Sequence, residues 1–385
     1  MSITAPKGFR AAGLSAGIKE NGNKDLTLVV NDGPLDVAAG VFTRNKVKAA
    51  PVLWSQQVLQ TGRVKAAVLN SGGANACTGP EGFQDTHTTA EHVAATLGIG
   101  AIDVAVASTG LIGVRLPMDK LTAGVTKAAE QLAETPEAGL NAAEAVMTTD
   151  SVPKQAHATT SGWTIGGFAK GAGMCAPNMA TMLSVLTTDA VLDQAQANAA
   201  LKNAVNATFN SLDVDGGTST NDTVLLLCSG ASGQTPIQED FTATLTDVCR
   251  DLVAQLQADA EGVTKHVTIA VTGAATDDEA RQAAKVIAQD NLCKTAFFGS
   301  DPNWGRVAMA VGNAPTDFDP NKLDITINGV AVCVNGGAGE DRAKADLTGK
   351  DITVEVNLHA GDGKATVLTT DLSHGYVEEN SAYSS

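Results

Sequence analysis

The hydrophobic pattern changes period along this chain, and that change limits its architecture more than any other feature. Leu26-Thr-Leu-Val-Val30 and Val104-Ala-Val-Ala107 read as strands. Met118, Leu121, Val125, Ala128, Ala129 and Leu132 recur on one helical face, as do Val248, Leu252, Val253 and Leu256. After a strand over 267–271, Ala280, Ala283, Val286 and Ile287 mark a further helix. The period then falls to two. Leu323-Asp-Ile-Thr-Ile327 and Val330-Ala-Val-Cys-Val334 flank Asn328-Gly329, a strong short hairpin signal. Ile352, Val354 and Val356 alternate in the next strand, which Gly361-Asp-Gly363 turns towards 365–369. Helices between strands, followed by antiparallel hairpins, predict an α+β fold, a layered αββα sandwich rather than a doubly wound sheet. No linker or internal repeat separates the halves, so they are expected to share one core.

The 385 residues, 43% of them hydrophobic, suffice for two lobes. Aromatics reach only 4%, while 39 glycines with abundant Ala, Val and Thr predict closely packed strands and helices. A formal charge of −16 argues against nucleic acid and anionic membranes as partners. Cys77, Cys175, Cys228, Cys249, Cys293 and Cys333 form no C-x-x-C pair, and the six histidines form no ligand cluster, so no metal is expected. Residues 1–23 lack an apolar leader core and no 18-residue apolar run occurs, which predicts a reduced cytoplasmic protein that does not enter a membrane.

Gly13-Leu-Ser-Ala-Gly17 matches the G-x-S-x-G elbow, but no apolar strand precedes it, as a nucleophile elbow requires. No complete Walker A or G-x-G-x-x-G loop accompanies the glycines, so nucleotide binding by such loops is unsupported.

The most unusual stretch is Lys170-Gly-Ala-Gly-Met-Cys-Ala-Pro-Asn-Met-Ala-Thr-Met-Leu183, a Gly-rich loop leading into the apolar run Met182-Leu-Ser-Val-Leu186. In one reading it is a surface loop entering a buried strand. In the other, the Thr181 hydroxyl attacks the Ala180 carbonyl and the resulting ester hydrolyses. Thr181 then carries a free α-amine beside its own hydroxyl. With a pKa of roughly 7.7–8.0, that amine serves as general base without a histidine.

Lys170-Gly-x-Gly-Met-x-x-Pro-Asn-Met-Ala-Thr-Met-Leu183 resembles the cleavage signature of the ornithine acetyltransferases (glutamate N-acetyltransferases). The resemblance spans nearly the whole chain. It includes Phe42-Thr-Arg-Asn45, Asn70-Ser-Gly-Gly-Ala-Asn-Ala-Cys77, Ser108-Thr-Gly-Leu-Ile-Gly113 with Leu116-Pro-Met118, and Met147-Thr-Thr-Asp150. Ser219-Thr-Asn-Asp222, Gly299-Ser-Asp-Pro-Asn-Trp-Gly-Arg306 and Asn380-Ser-Ala-Tyr383 continue it in order. Gly73, Gly217 and Cys175 depart from the usual Asn, Asp, and Ile or Met, at positions to which no chemistry is assigned.

The resemblance implies an N-terminal-nucleophile-like fold cut into an α chain, 1–180, and a β chain, 181–385, that share one core. Thr181 is then both cleavage residue and acyl acceptor, with Thr109 and Gly110 as the oxyanion-hole pair. Lys170 is implied as a substrate-binding lysine, placed to hold a carboxylate and lower the α-amine pKa. Thr148 or Thr149 matches a binding threonine. Glu261 matches a binding glutamate suited to the ornithine ammonium, and reads as lying in the last turn of a helix ending at Ala260, where its charge opposes the macrodipole. Asn380 and Ser385 match binding residues of the C-terminal tail. The segments 301–306 and 219–222, dense in turn-forming and polar residues, either line the site or build tight turns, and the structural reading is favoured.

The implied reaction is ping-pong. Thr181 takes acetyl from N-acetylornithine, ornithine leaves, and glutamate resolves the acetyl-enzyme, with no cofactor. Some members of the family also accept acetyl-CoA, and the implied assembly is a heterotetramer of two α and two β chains. The rival readings are an N-terminal-nucleophile amidohydrolase or aminopeptidase, in which water replaces glutamate, and a non-catalytic binding protein.

Overall fold

The computed structural model describes residues 2–174 and 182–382. They fall into two compact units, the first running to Asn210 and resuming over Gly217–Leu256, the second built from Ser211–Gly216 and the chain from Gln257 on. The packing boundary therefore lies beyond residue 181.

The first unit is layered. One sheet has the order β1 (Phe9–Leu14), β2 (Leu26–Asn31), β4 (Ala66–Ser71), β5 (Val104–Thr109), with only β4 and β5 parallel. The other runs β3 (Val37–Phe42), β10 (Thr223–Cys228), β8 (Leu183–Thr188), β7 (Thr164–Lys170), β6 (Lys154–Thr159). In it β8 lies parallel to β10 and antiparallel to β7. Phe168, Leu183, Val185, Leu225 and Leu227 join Leu28, Val68 and Val106 of the first sheet in one core. Strand alternation turns Leu186, Val224 and Leu226 to the opposite face, and both strands are buried along their whole length, as strands between two layers must be.

Helices α1 (Ala50–Val58), α2 (Gly79–Leu97) and α3 (Met118–Glu130) pack on the first sheet. Helix α4 (Pro136–Ala145) packs on β1 and β2, its start fixed by Thr135, whose hydroxyl accepts the Ala138 N–H, and by Pro136 in its first turn. A Cβ on Gly13 would lie 2.0 Å from Asn141 O of this helix. Gly13 is thus a close-packing residue inside β1, and Gly13–Gly17 has no elbow geometry. Helix α5 (Gln194–Ala207), started by an Asp193–Gln196 capping box, covers β3 and β10 of the second sheet. Helix α6 (Gln238–Ala258) ties to β6 through two hydrogen bonds between Gln255 and the Gln155 backbone. The αββα order follows.

The second unit is one sheet of seven strands, β14 (Gly337–Ala338), β13 (Val330–Val334), β12 (Asp324–Ile327), β15 (Asp351–Asn357), β11 (His266–Ala274), β16 (Gly363–Thr370) and β9 (Leu212–Asp213). Helices α7 (Asp277–Gln289) and α9 (Trp304–Gly312) pack on it; α8 (Asn291–Phe298) joins them, and α10 (His374–Ala382) follows β16. Asn328 and Gly329 have φ of 44° and 81°, the left-handed pair the β12–β13 hairpin requires. The strand after Gly361-Asp-Gly363 does not pair with β15. β11 lies between them, parallel to β15 and antiparallel to β16. No helix among the described residues is long and apolar enough to cross a membrane.

Candidate active site

Thr109 ends β5, and the chain then turns through Gly110, whose φ is +125°. A Cβ there would lie 2.5 Å from Gly73 N and 2.7 Å from Gly72 C, so only glycine fits. The turn is held from the facing loop. The N–H groups of Gly72 and Gly73 both donate to Thr109 O, at 2.9 and 3.0 Å. Asn221 braces it further, its Nδ2 donating to Ala74 O at 2.6 Å and Ser108 O at 2.8 Å.

Lys170, the last residue of β7, is 1% exposed, and its Nζ donates to Thr109 Oγ1 at 3.1 Å. Thr109, Gly110 and Lys170 are therefore brought together. Behind them stands Asp150. Its Oδ1 accepts from Lys154 Nζ at 2.6 Å and Gly171 N at 2.7 Å, and its Oδ2 accepts from Thr148 N at 3.0 Å. Burial opposes Asp150 ionisation, but the charges of Lys170 and Lys154 and these hydrogen bonds outweigh it, holding the carboxyl below its ordinary range. Through Asp150, Thr148 is anchored beside Gly171. It also lines a cleft of about 470 Å³ with Lys19, Lys24, Glu144, Met147 and Asp150. Thr149 is half-buried in the same bend.

Asp222 is the residue the sequence reading underrated. It is fully buried, and its Oδ1 accepts the Met182 N–H at 3.1 Å. Burial pushes its carboxyl well above the ordinary range, although the Met182 N–H, the Lys170 charge and the nearby Ser219 hydroxyl draw it back. The usable signal was an aspartate heading Thr-Val-Leu-Leu-Leu-Cys, a strand buried along its length. The 219–222 segment is buried along its length and, through Asn221, braces the turn at Gly110. The 301–306 segment does build a tight turn: Asn303 caps α9 and accepts from Arg306 N at 3.3 Å.

In the second unit Glu261 and Asn380 meet, Asn380 Nδ2 donating to Glu261 Oε2 at 2.8 Å. The position of Glu261 needs correction, because α6 ends at Ala258 and Glu261 lies in the turn after it. Gly262 has φ +59° and packs against the α10 backbone, where a Cβ would lie 2.0 Å from Tyr376 N. Its glycine serves that approach instead of closing the helix, so the opposition of Glu261 to the macrodipole lapses. Ala180, Thr181, Cys175 and Ser385 lie outside the described residues.

A family model described as the ArgJ family matches residues 10–385. The arginine biosynthesis bifunctional protein ArgJ of Mycolicibacterium paratuberculosis is 62% identical over 389 residues, covering 100% of this chain and 96% of that protein. The protein of the same name from Thermobifida fusca is 58% identical, with 100% of both chains covered. Among solved structures, ornithine acetyltransferase complexed with ornithine from Mycobacterium tuberculosis is 61% identical. It covers 47% of this chain and 96% of its own, with a TM-score of 0.46.

Proposed function

The chain belongs to the ArgJ family, and from that premise we propose how its residues carry the family's reaction. It is an ornithine acetyltransferase of arginine biosynthesis, a glutamate N-acetyltransferase. Acetyl passes from N-acetylornithine to glutamate. In our reading the Ala180–Thr181 bond cleaves itself and Thr181 is the acetyl acceptor. Its α-amine takes the hydroxyl proton during attack and returns it to the departing ornithine nitrogen.

The observation that carries this reading is the buried Lys170 ammonium 3.1 Å from the Thr109 hydroxyl, at a turn only Gly110 can make. Lys170 fixes the orientation of Thr109 and supplies positive charge where a tetrahedral oxyanion develops. The Thr109 hydroxyl and Gly110 N–H are the donors aimed at it. Thr148, anchored through Asp150, contacts substrate on the same side; Thr149 is the alternative. Glu261 and Asn380, which meet in the second unit, and Ser385 are assigned to substrate binding in this reading by the family resemblance alone. Acetyl-CoA is a second donor in this reading. The cut halves remain associated as a heterotetramer of two α and two β chains in the cytoplasm.

Intact mass measurement of wild type and Thr181→Ala tests the scheme. Two wild-type fragments meeting at Ala180/Thr181, an uncut variant and an acetyl adduct on the 181–385 fragment are expected. An uncut, unacetylated wild type would sink it. Excess N-acetylornithine without glutamate should give a burst of ornithine that stalls, whereas steady release would mean a hydrolase.

A further inference from the structure

Lys19 is a cation that the reaction described above leaves without a task. It is half-buried, and its Nζ donates to Met147 O at 2.6 Å and to Lys24 O at 3.0 Å. Both acceptors are backbone carbonyls, which bring no opposite charge. The carboxylates that line the same cleft are engaged elsewhere, Glu144 with Lys24 at 2.5 Å and Asp150 with Lys154 at 2.6 Å. Lys19 itself has no ion-pair partner among the described residues. A charge withdrawn from water ordinarily has one. We infer that Lys19 binds a carboxylate of the amino-acid substrate in the cleft that it lines with Thr148.

The inference rests on the acetyltransferase reading above, in which Thr148 contacts substrate. The backbone of Lys19 is pinned by the fully buried Asp25. Its Oδ2 accepts from Ile18 N at 2.6 Å and Lys19 N at 2.9 Å, and its Oδ1 accepts from Ala16 N at 2.6 Å. The Lys19 stem lies against Gly72, where a Cβ would come within 3.2 Å of Lys19 Cγ. Gly72 is the residue whose N–H holds Thr109 O at 2.9 Å, so Lys19 borders the turn that carries the oxyanion donors. At its tip the ammonium holds the Met147 carbonyl, and the N–H of that same peptide unit, from Thr148, donates to Asp150 Oδ2 at 3.0 Å. One end of the unit is thus fixed by Lys19 and the other by Asp150. The cleft, about 470 Å³, has room for an amino acid. Two of the three ammonium N–H groups serve the carbonyls, and the third is left to donate. Burial draws the pKa of Lys19 below its ordinary value; Asp25 opposes this, Lys170 adds to it and Asp150 opposes it. Lys19 and Lys170 therefore act on each other as like charges, and an anion between such groups relieves both. A substrate carboxylate would do so through a charge-assisted hydrogen bond. N-acetylornithine carries a carboxylate beside the nitrogen that bears acetyl. Glutamate carries the same one and a second on its side chain.

Lys19→Gln keeps N–H donors for the backbone carbonyls and removes the charge. KM should rise roughly tenfold with kcat within about threefold, because the bond is made to ground state and transition state alike. A rise for both N-acetylornithine and glutamate identifies the carboxylate they share; a rise for glutamate alone identifies its side-chain carboxylate. An unchanged KM for glutamate overturns the inference, whatever happens with N-acetylornithine. A fall in kcat alone also overturns it, since Lys19 would then be only a brace of its loop. Should the variant not fold, wild-type crystals soaked in glutamate decide. A carboxylate within hydrogen-bond distance of Lys19 Nζ is expected, and a cleft without one overturns the inference. A wild type that moves no acetyl between the two substrates would overturn the underlying reading as well, whereas an active enzyme indifferent to Lys19→Gln overturns this inference alone.

Discussion

Asp150 and Asp222 lie in the same unit, both buried and both within the field of Lys170, yet their surroundings push them in opposite directions. Asp150 receives Lys154, Gly171 and Thr148, so that each oxygen has a donor. Asp222 receives one N–H, and its second oxygen receives nothing from the described residues. The first arrangement is how a buried charge becomes a structural strut. The second leaves a buried carboxyl oxygen short of donors, so burial dominates and the neutral form is favoured. Burial alone does not distinguish them; the count of donors does.

Removing the strut should produce the largest effect. Asp150→Ala takes the carboxylate from the fully buried Lys154 side chain and should cost about 3–5 kcal/mol, read by urea unfolding of the intact protein. A loss under about 1 kcal/mol would mean that the pair is not a strut.

A smaller contrast lies in pH. The folded pKa of Asp150 is depressed, so its contribution is present above the unfolded value of about 3.9 and is lost as pH falls through the folded pKa. The folded pKa of Asp222 is raised. The unfolded chain then ionises first, and stability declines as pH rises above about 4 towards the folded pKa. Asp213, pushed up to about 6 mainly by burial, adds to that decline. Asp222→Asn should therefore gain stability relative to wild type between about pH 4 and 7, and a gap that shrinks over that window would reverse the assignment.

Asn380→Ala should have the smallest effect. The Glu261–Asn380 contact is exposed, so unfolding free energy should change by less than about 0.5 kcal/mol while KM for N-acetylornithine rises. An unchanged KM would remove the pair from the substrate site.

Much of the layering was legible because period is a local property. The Asn328-Gly329 hairpin, the α3 face and the buried strand begun by the apolar run Met182–Leu186 all stand where the sequence put them. Strand order was not legible. Gly361-Asp-Gly363 has the composition of a hairpin turn, but β11, nearly eighty residues upstream of β15, has taken the position between β15 and β16. The end of α6 was misplaced because Gly262 has the look of a helix stop, while a neighbouring backbone is what demands it. At the site, Thr109 and Lys170 are separated by 61 residues, and no periodicity connects them; only the family resemblance joined them beforehand. The polar residues of 219–222 suggested either a site lining or a turn, and the apolar strand after Asp222, which implies its burial, was the overlooked signal.

In the second sheet β3, β7 and β6 precede residue 181, whereas β8 and β10 follow it. A break before β8 would leave two polypeptides threaded through one another's hydrogen-bond ladders, β8 and β10 lying between β3 and β7. Folding of the uncut precursor is a first-order event, in which covalent continuity keeps every strand close to its neighbours. Once cut and unfolded, the halves would have to find each other by diffusion, and recovery would become second order in protein. Maturation would thus act as a ratchet, turning a protein that refolds alone into one whose recovery depends on its concentration.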